Sequence, residues 1–143
     1  MADNATTQEA LQARLMAANF NKWLGLRIVK VGDGTIEIML PWREEIMSNP
    51  NLKSTHGGVL AALVDATADF AIATKIGRPV PTVDMRVDYH RAATPGDLRA
   101  VGRVVRLGAT LSVAETEIFD GENKLVASGR GVYFTGAAKT EGA

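Results

Sequence analysis

Cysteine is absent from the 143 residues, which removes disulfide frames, thiol nucleophiles and cysteine-rich zinc sites together. Imidazole is nearly as scarce, with His56 and His90 the only two copies. Neither charge is in excess: 16 basic residues offset 16 acidic ones, and a pI near 6.7 lacks the basic footprint of a nucleic-acid binder. Long apolar runs are missing too. None reaches the roughly 20 uninterrupted residues that a membrane helix needs, and the opening MADNATTQEALQARL lacks the apolar middle of a secretory signal. A soluble, cytoplasmic protein with no nucleic-acid or membrane partner is therefore expected, and the missing cysteines fit a reducing compartment.

What is present suffices for one core. Hydrophobic residues make up 46% of the chain, and the length suits a single domain over residues 1–143, with its core at 20–136 and a flexible tail, AAKTEGA, at 137–143. Leu11, Leu15, Ala18 and Phe20 among polar neighbours predict an amphipathic helix over residues 6–21. From Leu26 the period shortens to two. LRIVKV, the turn GDG and TIEIML read as a hairpin in which Ile36, Ile38 and Leu40 alternate with polar positions. A loop rich in Pro, Asn and Ser leads to the one long helix, Gly58–Thr74. Past GRPVP come four alternating segments, TVDMRVDYHR, DLRAVGRVVRL, TLSVAETEIFD and KLVASGRGVYFTG, expected to run as an antiparallel meander. The fold class is α+β, a sheet curled around one long apolar helix. Free edge strands in such a sheet can pair with a second copy, so a homo-oligomer is expected.

The chemistry concentrates in NPNLKSTHGGVLAALVDATADFAIAT, residues 49–74. Gly57 and Gly58 stand at the start of the helix, where the first N–H groups have no intrahelical partner and the dipole is positive. Such a terminus can stabilise an oxyanion, and glycine lets a carbonyl approach the backbone; a plain turn before a helix would also read HGG. Asp65 and Asp69 share one face of the apolar run, one turn apart. Burying an unpaired carboxylate costs several kcal/mol, about 2–7 even for a neutral polar group. At least one of the two therefore needs a purpose; the alternative is that one or both accept a backbone hydrogen bond or pair with a base such as Arg86. Gly57 and Asp65 lie about 12 Å apart along one helix, so if the two cooperate, the carboxylate must come from a second subunit.

The stretch NPNLKSTHGGVLAALVDATADFA, followed by PTVDMRVDYHRAATPGDLRAVGRVVRLG and AETEIFDGENKLVASGRGVYF, resembles the PaaI-like branch of the hotdog-fold acyl-CoA thioesterases. The similarity spans Leu24 to Phe134, and the motifs occur in the family's order: His-Gly-Gly with an aspartate nine residues after the histidine, Tyr-x-Arg, then Asp-Gly-x-x-Lys-Leu-Val-Ala. The resemblance implies a hotdog fold that dimerises into a continuous sheet and often pairs again as a tetramer. It implies hydrolysis of a CoA thioester to free acid and CoA, with coenzyme A as part of the substrate and no metal or other cofactor. Carried over by position, Gly57 is the oxyanion glycine, Asp65 the nucleophile or general base, and His56 the histidine that orients the loop or contacts the thioester. Asn49, preferred over Asn51, helps to place the water or the carbonyl, and Thr82 assists the water; an ordinary strand threonine is the alternative for Thr82. Arg91, Arg106, Gly108 and Thr110 are candidates for the nucleotide phosphates, with Gly58 and Asp69 also lining the substrate site. Each of the four could equally be a solvated surface residue, and Ala109 stands where relatives often carry a base. Two rival readings are a hotdog-fold enoyl-CoA hydratase or dehydratase and an acyl-CoA-binding module without turnover.

Overall fold

A computed structural model describes residues 4–137. The tail at 137–143 therefore lies, apart from Ala137, outside the described residues. After a 3-10 turn at Asn4–Thr6, the N-terminal helix is interrupted: α1 spans Gln8–Ala17 and α2 spans Asn19–Leu24, with Ala18 between them in extended geometry, φ −79° and ψ 121°. Core packing explains the break. Leu11, Leu15 and Leu24 are all buried, yet in an unbroken helix Leu24 would stand about 180° from Leu15. The kink turns it inward, and Phe20, expected on the buried face, instead stacks on Trp23 at a ring separation of 6.1 Å with half its surface in solvent. Thr7 caps α1 by accepting from Ala10 N–H.

The expected hairpin forms from β1 (Arg27–Val31) and β2 (Thr35–Leu40), paired antiparallel. Then come α3 (Gly57–Ile76), β3 (Thr82–Tyr89), β4 (Leu98–Arg106), β5 (Leu111–Phe119) and β6 (Leu125–Phe134). The strand order is β1-β2-β4-β5-β6-β3, antiparallel throughout. This corrects one expectation: β3 does not begin a meander with β4 but lies at the far edge against β6. A hairpin needs a short turn, whereas residues 90–97 form a connection that is pinned along its length. His90 and Arg91 N–H donate to the Val126 carbonyl, Thr55 N–H donates to the Ala93 carbonyl, and Ala93 is buried.

The sheet wraps α3, as the α+β hotdog expectation requires. Twelve of the helix's residues are buried, Leu63, Val64 and Ile72 among them, and each such aliphatic side chain contributes about 1.5–3 kcal/mol by leaving water. The strands meet the helix with small residues. A Cβ on Gly102 would lie 2.8 Å from the Thr67 carbonyl oxygen, and one on Gly129 would lie 2.6 Å from Val64 Cγ1, so a side chain at either position would push the helix off its sheet. Thr116 Oγ1 donates to the Val64 carbonyl at 3.0 Å, and Gly34 N–H donates to Thr74 Oγ1 at 2.9 Å. The helix ends on Gly77 at φ +76°, a left-handed cap that favours glycine.

The two sheet edges differ. Along β1, Gln8 and Gln12 of α1 donate to the carbonyls of Ile28 and Leu26, and Gln12 accepts from Ile28 N–H. Strand β3 has a neighbour on one side only.

Candidate active site

The start of α3 is built by its cap. His56 occupies the N-cap, and its Nδ1 accepts from Gly58 N–H at 2.8 Å. An accepting Nδ1 leaves the proton of a neutral ring on Nε2. Gly58 N–H is thus already used, while Gly57 N–H meets no acceptor among the described residues. Tyr89, at the end of β3, donates its hydroxyl to the Gly57 carbonyl at 2.7 Å, and its ring would lie 3.4 Å from a Cβ on Gly57. The entry to the helix is fixed by His56 N–H on the Ile46 carbonyl and Thr55 N–H on the Ala93 carbonyl. Asn49 sits upstream in a turn of its own. Its Oδ1 accepts from Asn51 N–H, and its carbonyl accepts from Leu52 and Lys53. Among the described residues, none of the hydrogen bonds of Asn49 reaches Gly57 or Asp65.

Two turns along, Asp65 is half-buried and held by hydroxyls from two strands. Oδ1 accepts from Thr82 Oγ1 at 2.7 Å and from Tyr133 Oη at 3.0 Å; Tyr133 also reaches the Asp65 carbonyl at 3.1 Å. No hydrogen bond reaches Oδ2 from the described residues. Burial first, then the charge of Asp65 and the bond to it, pushes the Tyr133 phenol above its ordinary range, so it stays a donor. Tyr133 was not among the residues expected at the site. The signal for it lay in β6, where Gly129, Gly131 and Tyr133 alternate: a fully buried phenol needs an acceptor.

Asp69 has a different fate. Its Oδ1 accepts from Val80 N–H at 2.8 Å, so it holds the loop that leads into β3. Burial pushes its carboxyl up to about 7, the Val80 bond opposing and the nearby Asp65 charge adding to the rise. Arg86 pairs with Asp88 at 3.0 Å instead of with either helix aspartate. Among the described residues, neither Asp65 nor Asp69 has a cationic partner.

The candidate phosphate residues fall at opposite ends of α3. Arg91 follows Tyr89 at the N-terminal end. Arg106, Gly108 and Thr110 belong to the β4–β5 turn at the other end, where Val104 N–H meets the Gly34 carbonyl and Gly34 N–H meets Thr74. That turn is tied down: Thr135 Oγ1 donates to the Gly108 carbonyl at 2.7 Å, Gly108 N–H donates to Ser112 Oγ at 3.0 Å, and the Thr110 carbonyl accepts from Thr135 and Gly136. A Cβ on Gly108 would collide with the Leu111 carbonyl. A 20-residue helix is about 30 Å long, so one chain cannot gather both groups. No cluster of three His, Asp or Glu able to hold a metal occurs among the described residues. A concavity of about 550 Å³ lies on the sheet, bordered by Arg86, Asp88, Glu115, Glu117 and Arg130, and neither Gly57 nor Asp65 lines it.

Comparison with known proteins agrees with this architecture. The profile of the thioesterase superfamily matches residues 52–127. The 1,4-dihydroxy-2-naphthoyl-CoA hydrolase of Escherichia coli is 29% identical over 126 residues, covering 87% of this chain and 90% of the hydrolase. The X-ray structure of a thioesterase-superfamily protein superposes with a TM-score of 0.87 at 47% identity, covering 92% of this chain and 98% of that one. The E. coli PaaI protein, from the phenylacetic acid degradation operon, superposes with a TM-score of 0.73 at 25% identity over 89% of this chain and 97% of its own. The sheet-wrapped helix, the glycine at its start and the match across more than half of its length together place this chain in the thioesterase superfamily, as a hotdog-fold thioester hydrolase.

Proposed function

We propose that the protein is an acyl-CoA thioesterase whose active site is shared between two copies of the chain, a dimer or a dimer of dimers. One observation carries this reading. The two halves of the candidate site are fastened to opposite ends of β3: Thr82 holds the Asp65 carboxylate, and Tyr89 holds the Gly57 carbonyl. Strand β3 is an edge with exposed Val83 and Tyr89. Antiparallel pairing of β3 with a second copy about its middle would set the Thr82 end of one strand beside the Tyr89 end of the other. Asp65 of the partner subunit would then approach Gly57 across the two-fold axis, and each dimer would carry two sites.

In such a site the thioester carbonyl rests on Gly57 N–H, the donor left over once His56 has taken Gly58 N–H. His56, with its proton on Nε2, is available to the same carbonyl. Asp65 of the partner subunit acts either as base, taking a proton from the attacking water, or as nucleophile on the carbonyl carbon. In both cases the C–S bond breaks, the CoA thiolate leaves and is protonated, and water supplies the OH of the free acid. An oxyanion donor and a positioned base are each worth about 10²–10³-fold, enough for a thioester without a metal or other cofactor. Arg106, Gly108 and Thr110 of one chain would lie toward the Gly57 end of the other and meet the nucleotide there; Arg91 is a further phosphate candidate. We place the enzyme in the cytoplasm, which its cysteine-free composition fits. The described residues contain no helix long and apolar enough to cross a membrane.

Thiol release measured across short, medium, long and aromatic CoA esters tests the proposal. Turnover of at least one ester, abolished in Asp65→Asn, is the expected result. Tight binding with no turnover anywhere would favour a binding module, and hydration of crotonyl-CoA would favour the hydratase.

A further inference from the structure

The two oxygens of Asp65 stand in different surroundings. Oδ1 receives two hydroxyl donors, Thr82 from β3 and Tyr133 from β6, while Oδ2 receives none among the described residues. We infer that Tyr133 is a positioning residue which, with Thr82, occupies Oδ1 of Asp65 and leaves Oδ2 as the oxygen that meets the water or the thioester carbonyl; this rests on the thioesterase reading.

Ordinary satisfaction of a buried phenol does not account for the contact. Tyr133 already has an acceptor in the Asp65 carbonyl at 3.1 Å, and that carbonyl keeps its bond within α3 whether or not the phenol is present. The phenol has one proton, and its oxygen stands nearer Oδ1, at 3.0 Å, than that carbonyl, so the proton is shared toward the one group of the helix that the chemistry needs. The sequence makes room for it. A Cβ on Gly131 would lie 2.5 Å from the Tyr133 ring, so glycine two residues earlier lets the ring lie back along β6 toward the helix. Register adds a further link, because Thr82 and Tyr133 are cross-strand partners in the β3–β6 ladder. The two donors to Oδ1 thus come from one rung of the sheet, and the ladder fixes them as a pair. A carboxylate pinned through one oxygen keeps its plane fixed while the other stays free to act.

The titratable groups near Asp65 are Asp69 on α3 and Tyr133 on β6; β3 presents the uncharged Thr82, and the proposed dimer adds His56 of the partner subunit. The experiment compares wild type with Tyr133→Phe, Thr82→Val and Thr82→Ser. Carboxyl carbon NMR of aspartate-labelled protein at one fixed pH reads the Asp65 carboxyl signal, identified by its loss in Asp65→Asn, and each spectrum is repeated with Asp69→Asn to remove the neighbour. Removing either donor is expected to move the Asp65 carboxyl signal away from its wild-type position, because a hydrogen bond to Oδ1 is lost. Turnover is expected to fall about tenfold with KM changed less than about twofold, and Thr82→Ser, which keeps the hydroxyl, to behave as wild type. An Asp65 carboxyl signal unmoved in both Tyr133→Phe and Thr82→Val overturns the inference whatever the rates. Should wild type hydrolyse no CoA ester, the thioesterase reading alone falls; the spectra need no substrate and still decide the role of Tyr133. Thr82→Val alters the exposed strand edge and acts on the same oxygen, so it stands in if Tyr133→Phe does not fold.

Discussion

Tyr89 and Gly57 are 32 positions apart in sequence, yet the phenol of one donates to the backbone carbonyl of the other at 2.7 Å. The bond joins the end of β3 to the first turn of α3 and fixes the peptide that follows the free Gly57 N–H. Tyr89→Phe keeps the ring and removes only that bond. We predict a loss of about threefold to tenfold in kcat/KM with a stability change within about 1 kcal/mol, the usual size for one partly exposed hydrogen bond. Steady-state kinetics together with thermal melts check it; unchanged kinetics would show that Tyr89 merely covers the glycine.

The proposed shared site predicts complementation. Asp65→Asn should lower kcat at least about a hundredfold while KM and folding stay near wild type, and Gly57→Val should be inactive because its side chain crowds the carbonyl seat. When the two proteins are mixed and allowed to exchange subunits, each mixed dimer holds one intact site and one doubly defective site. Random pairing then restores about a quarter of wild-type activity. Confirmed exchange by native mass spectrometry with no recovered activity would mean that Asp65 acts within its own chain.

The raised carboxyl of Asp69 makes a pH prediction with a definite sign. Below the ordinary carboxyl value of 3.8 the group is protonated in both folded and unfolded chains, and its contribution is fully present. As pH rises from 3.8 to about 7 the unfolded chain ionises first, so that contribution is lost, and above about 7 the loss is complete. The size is at most about 4 kcal/mol and smaller where solvent reaches the half-buried side chain. Asp69→Asn keeps an oxygen for Val80 N–H and removes the titration, so the variant should gain stability relative to wild type between pH 4 and 7. Urea melts at pH 4.5 and 7.5, at one fixed protein concentration, measure it. Parallel pH slopes for the two proteins would show that Asp69 titrates normally. Its effect on kcat should be about tenfold or less.

Nucleotide binding supplies a fourth prediction. If Arg91 or Arg106 meets the CoA phosphates, replacing it with Ala should raise KM more than it lowers kcat, and the wild-type KM should rise with salt. An unchanged KM in both variants would move the nucleotide elsewhere on the protein.

Period and punctuation made most of the fold legible in the sequence. The alternation of TIEIML and of the later segments appears as β2 and β3–β6, and the apolar run after HGG appears as α3 with two further residues at its end. Asp65 stood out because a carboxylate in an apolar helix needs a reason. Other features depend on neighbours that no local pattern reveals. The place of β3 beside β6 is a matter of strand order, and Tyr133 meets Asp65 only because that order sets Thr82 and Tyr133 on one rung. Likewise, HGG did not say which glycine N–H would remain free; the cap geometry of His56 decides it. The break at Ala18 follows from Leu24, whose burial no single helical face could accommodate.

The glutamines of α1 that bind the outer edge of β1 bear on how large an assembly can grow. Two open margins would let sheets add head to tail without limit, whereas one sealed margin and one open margin allow a single union, after which nothing more can join along the sheet. On the proposed pairing through β3, Gln8 and Gln12, bound to the backbone of Leu26 and Ile28, would act as a stop on polymerisation. If the protein pairs through β3, replacing both with Ala should turn that self-limiting pair into a chain prone to run on, visible as concentration-dependent light scattering; a variant that stays at wild-type size would show that β1 needs no such guard.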